Sequence, residues 1–108
     1  MERLKKVLIK PGSTIKQALK HMDNAGEKTL VVVDGQNAVL GTVTDGDIRR
    51  WILKGRKLGV SLTKVMNRHP LILGKGFNKE YAKNLMLREQ VECLPVIDEG
   101  RKVISCLW

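Results

Sequence analysis

Lys28-Thr29-Leu30-Val31-Val32-Val33-Asp34-Gly35 has a counterpart 64 residues further on, Glu92-Cys93-Leu94-Pro95-Val96-Ile97-Asp98-Glu99. Each is a short apolar run rich in branched side chains that ends on an aspartate and turn formers. Such a run reads as a buried strand. The same offset sets Val39-Leu40-Gly41 on Val103-Ile104-Ser105, Ala18 on Ala82, Met22 on Met86 and Gly12 on Gly76. The register holds without a gap, so the chain is an internal repeat.

Outward from the strand, Ile15, Ala18, Leu19, Met22 and Ala25 fall at helical spacing, with Ser13 or Thr14 placed to cap the start and Gly26 to end it. Asp34 to Asn37 is turn material and Ala38 to Val43 a second strand, giving a hairpin. After Thr44-Asp45-Gly46-Asp47, the residues Ile48, Trp51 and Ile52 share one helical face. The second unit runs alike: a helix from about Asn78 to Glu89, a strand Cys93 to Asp98, a turn Glu99 to Arg101 and a strand Lys102 to Leu107. Between the units, Lys54 to Gly59 is a basic turn, Leu62 to Met66 a short helix and His69 to Leu73 a short strand.

The fold class is therefore α+β, two β-α-β-β-α units in the spans 1–61 (with linker) and 62–108. Neither covers both faces of its small sheet alone, so the two are expected to pack about a pseudo-twofold axis as one compact module. The second unit is truncated before its last helix, because Trp108 aligns with Thr44. That ending reads as a piece excised from a longer polypeptide.

Length and composition set the remaining bounds. A chain of 108 residues holds one core, and 43% apolar with 29% charged residues is ordinary for a globular protein. No apolar run reaches membrane-spanning length and the first residues lack a secretory core, so a cytoplasmic protein is expected. Cys93 and Cys106 are not in a C-x-x-C pair and lack paired histidines, so they read as small buried side chains rather than metal ligands. The net charge of +9 is concentrated: from Ile48 to Lys79 there are nine Lys or Arg and no Asp or Glu. That stretch points to an anionic partner, or to a solvated basic face.

The stretch Gly41-Thr42-Val43-Thr44-Asp45-Gly46-Asp47 joins a strand to a helix N-terminus. First-turn amides and the helix dipole favour an anion there, and the Thr44 hydroxyl adds a donor. Asp47 has the chemistry to accept from vicinal ribose hydroxyls, Gly46 permits close backbone approach, and Arg49 and Arg50 are placed to reach distal phosphates. The same spacing also fits a capping box, Thr44 at N-cap and Asp47 at N3, worth about 1 kcal/mol with no ligand at all. The ligands of a metal loop are incomplete.

Leu40-Gly41-Thr42-Val43-Thr44-Asp45-Gly46-Asp47-Ile48, preceded by the Leu30 to Asp34 strand and the Ala18/Met22 helix, resembles a cystathionine-β-synthase (CBS) repeat. Cys93 to Asp98 is similar to the strand that precedes the hairpin in that family. The resemblance extends from about Val7 to Trp108 and implies a Bateman module, a pair of repeats that dimerises and binds AMP, ADP, ATP or a related adenosyl ligand without needing a cofactor. It implies Asp47 on the ribose, Thr44 on a phosphate, and adenine against Leu8, Leu30 and Val31. Trp108 stands where repeat two should have its Thr or Ser, and Val31 where the family often has Pro. Thr-Asp-Gly-Asp-Ile-Arg-Arg further resembles the pairs attached to sugar-nucleotidyltransferases and arabinose-5-phosphate isomerases. The early start of the repeat after Met1 favours the former.

Catalysis by this chain is not expected, since neither His21 nor His69 has a partner at sequence level. The expected function is a regulatory module, binding an adenosine-type nucleotide and acting as a homodimer on an attached enzyme domain. A ligand-free dimerisation module is the alternative. A nucleic-acid binder ranks behind it, because Trp51, Phe77, Tyr81 and Trp108 are not interleaved with the basic residues.

Overall fold

In a computed structural model describing residues 2–108, the apolar run Thr29–Val33 is the middle strand of one three-stranded sheet and Leu94–Ile97 of another. In chain order the elements are α1 (Glu2–Val7), β1 (Leu8–Ile9), α2 (Ile15–Ala25), β2 (Thr29–Val33), β3 (Val39–Thr44), α3 (Asp45–Leu53), a 3-10 turn (Leu62–Lys64), β4 (Leu73–Gly74), α4 (Lys79–Glu89), β5 (Leu94–Ile97) and β6 (Val103–Leu107). The strand orders are β1-β2-β3 and β4-β5-β6, each with a parallel then an antiparallel pairing.

The repeat extends to single hydrogen bonds. Asp34 Oδ1 accepts from the amides of Gln36 and Ala38, as Asp98 Oδ1 does from Gly100 and Lys102. Register shifts lie between Val32 and Val33 and, 64 residues on, between Val96 and Ile97. α2 starts at Thr14, which forms a capping box with Gln17, and α4 starts at Asn78, whose side chain accepts from the Tyr81 amide.

The two halves meet through equivalent atoms. The Val39 amide donates to the Arg101 carbonyl and the Val103 amide to the Asn37 carbonyl, both at 3.0 Å. Ala38 and Lys102, again 64 apart, form the bridge between the two hairpins. This reciprocity is the signature of a pseudo-twofold axis passing between the hairpin turns. The larger core cluster is built on the first repeat (Ile15, Leu30, Val31, Val43, Ile48) but also contains Cys93, Val103 and Cys106 of the second. A smaller cluster holds Leu73, Ala82, Leu85, Leu94 and Val96.

Several expectations change. α1 was not foreseen: it is six residues long, with only Leu4 and Val7 to give an apolar signal. The short helix expected over Leu62 to Met66 is three residues of 3-10 turn, and fully buried Leu62 belongs to the larger cluster. The strand expected over His69 to Leu73 shrinks to Leu73–Gly74 because Asn67, just upstream, is bonded to Thr42 on the first sheet, and Pro70 has no amide to pair. Ile52, placed on the inner face of α3 with Ile48 and Trp51, is 46% exposed, whereas Ile48 is fully buried. Among the described residues no helix is long and apolar enough to cross a membrane.

Candidate functional site

Thr44 is the hinge between β3 and α3. Its backbone is extended (φ −113°, ψ 162°), its Oγ1 accepts from the Asp47 amide at 3.1 Å, and Asp47 Oδ2 accepts from the Thr44 amide at 2.9 Å. The capping box read in the sequence is thus closed. Asp47 Oδ1 accepts from Arg50 at 2.8 Å, and Arg49 pairs with Asp45 one turn back. Of the first-turn amides, that of Asp45 donates to the Lys28 carbonyl and that of Asp47 to Thr44, which leaves that of Gly46 for a ligand.

This corner forms one side of a cleft of about 590 Å³, a size suited to a small-molecule ligand. Thr44, Gly46, Asp47 and Arg49 all line it, joined by Lys28, Thr29, Thr42 and Asp45 of the same repeat. The facing side comes from elsewhere: Asn67, Pro70 and Leu71 of the linker, and Glu89 to Cys93 at the end of α4. Thr42, a buried polar residue at 9% exposed, is among the residues that line this space.

Gly41 makes that geometry possible. The linker crosses β3 so closely that a Cβ on Gly41 would lie 2.4 Å from the Asn67 carbonyl oxygen and 3.1 Å from Met66 Sδ. The Thr42 and Asn67 backbones bond reciprocally there, at 3.1 and 2.8 Å. Asn67, Pro70 and Leu71 are thereby carried to the mouth of the cleft.

Three expected site residues lie apart from it. Leu30 and Val31 are fully buried in the core and expose nothing to a ligand. Leu8 lines a separate hollow of about 750 Å³ with Ile9, Lys10 and the Asp34 turn. The apolar wall facing Thr44 is instead Pro70, Leu71 and Val91, none of which was singled out from the sequence. The 64-residue offset carried the clue: under twofold packing a site draws one wall from the other repeat, and Leu71 is the equivalent of Val7.

Among the described residues, the histidines and cysteines lie apart from this cleft or at its buried edge. Nε2 of His21 contacts the Lys6 carbonyl, and His69 is exposed. Cys93 and Cys106 are both buried, and the interaction of the neighbouring thiols together with burial pushes Cys106 well above the usual thiol range. Among the described residues no group of three or more His, Cys, Asp or Glu is gathered to hold a metal. At the Thr44-equivalent position, Trp108 lies under the Arg3 guanidinium (4.1 Å to the ring centroid), and Arg3 also bonds Glu27 at 2.8 Å.

Residues 3–54 match the family model of the CBS domain. The arabinose 5-phosphate isomerase GutQ of Salmonella typhi is 27% identical over 95 residues, 88% of this chain and 30% of the relative. An uncharacterised protein of Helicobacter pylori (strain ATCC 700392 / 26695) is 30% identical over 105 residues, 93% of this chain and 31% of the relative. The chain therefore spans about 30% of the length of these curated relatives. Among solved structures, CBSX2 in complex with AMP is 27% identical with a TM-score of 0.79, covering 93% of this chain and 78% of its own. The CBS domain protein PAE2072 from Pyrobaculum aerophilum, complexed with AMP, shares the fold at 16% identity and a TM-score of 0.83, covering 94% and 78%. Residues 3–54 thus belong to the CBS-domain family, and with the same fold carried into the second repeat at a fixed offset the chain has the architecture of a tandem CBS pair.

Proposed function

We propose that this CBS pair is a non-catalytic regulatory module that takes an adenine nucleotide in the cleft between its repeats and reports occupancy to an attached enzyme domain. The observation that carries the reading is the cleft itself, where the N-terminus of α3 faces an apolar wall from the other repeat. Asp47 is assigned to the ribose hydroxyls, Thr44 and the Gly46 amide to the phosphate, and Pro70, Leu71 and Val91 to the base. AMP in the related CBSX2 structure supports the ligand class. Residues 1–61 and 62–108 act as one module, because the cleft takes residues from both.

The attached enzyme is proposed to act on a sugar phosphate. The relatives named above include arabinose 5-phosphate isomerase, which supports that class and gives the nucleotidyltransferase expectation no support. Ligand and effect couple by differential binding: a nucleotide spanning both repeats favours one arrangement of them, and the attached domain answers to that bias. Homodimerisation is proposed from exposed Ile52 and Leu53 on α3 and Tyr81 and Leu87 on α4, and light scattering tests it.

A second reading rests on one specific observation. Thr44 and Asp47 already satisfy each other and Arg50, so they serve as a helix cap in a ligand-free dimerisation module. Thermal shift with AMP, ADP, ATP, S-adenosylmethionine and GTP separates the two. At a hundredfold its dissociation constant a ligand adds about 2.7 kcal/mol, a rise of several degrees. The expected outcome is a rise with an adenosine ligand that disappears in Thr44→Ala and Asp47→Asn. Both variants also lower the unliganded stability, by about 1 kcal/mol for the lost cap. A panel with no rise leaves Thr44 and Asp47 as a cap only, and undiminished binding by Asp47→Asn removes the ribose role.

A further inference from the structure

Resting on the nucleotide reading above, we infer that the cleft selects by charge: it favours adenine ligands bearing at most one phosphate over polyphosphates. The protein carries a net charge of +9, yet its cleft does not share that sign. The lining holds two cations, Lys28 and Arg49, against four carboxylates, Asp45, Asp47, Glu89 and Glu92.

The arginines that the sequence placed for distal phosphates are engaged. Arg49 is paired with Asp45 and Arg50 with Asp47. A phosphate chain drawing either one away leaves a carboxylate beside the added charge. From the opposite repeat, Glu92 and Glu89, the latter 3.7 Å from the exposed Arg88 guanidinium, border the same space and add carboxylates on the side facing the α3 N-terminus.

The interior, by contrast, suits an uncharged ring. Thr42, nine-tenths buried, is among the lining residues, and Pro70, Leu71 and Val91 give apolar contact. The Gly46 amide and Lys28 supply enough positive character for one phosphate. Coulomb repulsion between an added phosphate charge and a bordering carboxylate, taken at about 6 Å, lowers affinity about threefold even at the dielectric of bulk water, and by more in the lower dielectric near a protein surface, at low salt.

The test is isothermal titration of this chain with adenosine, AMP, ADP and ATP, metal-free, at about 50 and about 300 mM salt. AMP is expected to bind more tightly than ADP, and ADP more tightly than ATP, with the gap narrowing at the higher salt. The double variant Glu89→Gln, Glu92→Gln is expected to close the AMP-to-ATP gap at low salt by at least threefold. Both side chains are exposed, so folding is not at issue. ATP binding as tightly as AMP overturns the charge selection while the nucleotide reading stands. A gap unchanged in the double variant also overturns it, since these carboxylates are its source. If none of the four binds, the nucleotide reading falls and the selection with it.

Discussion

Gln90 ends α4 in the left-handed region at φ 56°, where α2 ends on Gly26 at φ 68°. A side chain there meets steric resistance that glycine avoids. Gln90→Gly is therefore expected to raise stability by about 0.5–1 kcal/mol, net of the entropy glycine adds to the unfolded chain. That corresponds to a thermal midpoint roughly 2–6 °C higher, read by circular dichroism. A midpoint that stays or falls would show that Gln90 makes a compensating contact at the cleft it borders. At this scale the sequence was informative where a residue type announces its conformation: Thr14, Gly26, Thr44 and Asp47 all do what their chemistry suggests. It was silent at Gln90 and Arg101, whose residue types do not favour the positive φ they adopt, whereas Asn37 is a type that enters that region readily. The offset alone gives them away, since Arg101 repeats Asn37 and Gln90 repeats Gly26.

Between elements, the decisive contact is the linker lying across β3. Gly41→Ala is expected to cost about 2 kcal/mol or more, because its Cβ would press on backbone, the Asn67 carbonyl oxygen at 2.4 Å, and not on a side chain free to turn away. Urea denaturation reads the loss. A stability change below about 0.5 kcal/mol would mean that the linker lifts off β3 at little cost. Since Asn67, Pro70 and Leu71 travel with the linker, this variant is also expected to weaken AMP binding, whereas an equally destabilising change in the smaller core, such as Leu85→Ala, should spare it. Element boundaries were legible wherever apolar periodicity was strong: α2, β2 and α4 fall within a residue or so of their expected limits. The linker was not. Its apolar residues Leu58, Val60, Leu62, Val65 and Met66 serve the first repeat's core with no regular structure beyond the Leu62–Lys64 turn, so no long period marks them. The cleft-lining linker residues Pro70 and Leu71 went unread for that reason, whereas the sequence reading singled out Leu8, Leu30 and Val31.

For the molecule as a whole, the question is whether two repeats make one cooperative unit. The sequence showed two copies but not how tightly they are joined, because the joining atoms are backbone amides and carbonyls at Asn37, Val39, Arg101 and Val103. Every residue has such groups, so pattern cannot reveal which of them pair. The larger core answers the question, since it closes over Val103, Cys93 and Cys106 of the second repeat together with Ile15, Val31 and Ile48 of the first. Exposing either half would uncover apolar surface of the other. Unfolding is therefore expected as a single transition, with the calorimetric enthalpy equal to the van't Hoff value. Val103→Ala, in the second repeat but only 4% exposed, should lower the stability of both halves together by about 1–3 kcal/mol. Amide exchange locates that effect. Protection should fall in parallel at Val31 in β2 and at Val96 in β5 if the halves are coupled. Loss confined to β5 and β6 would make the repeats independent, and a ligand bridging them would then have no shared equilibrium through which to act.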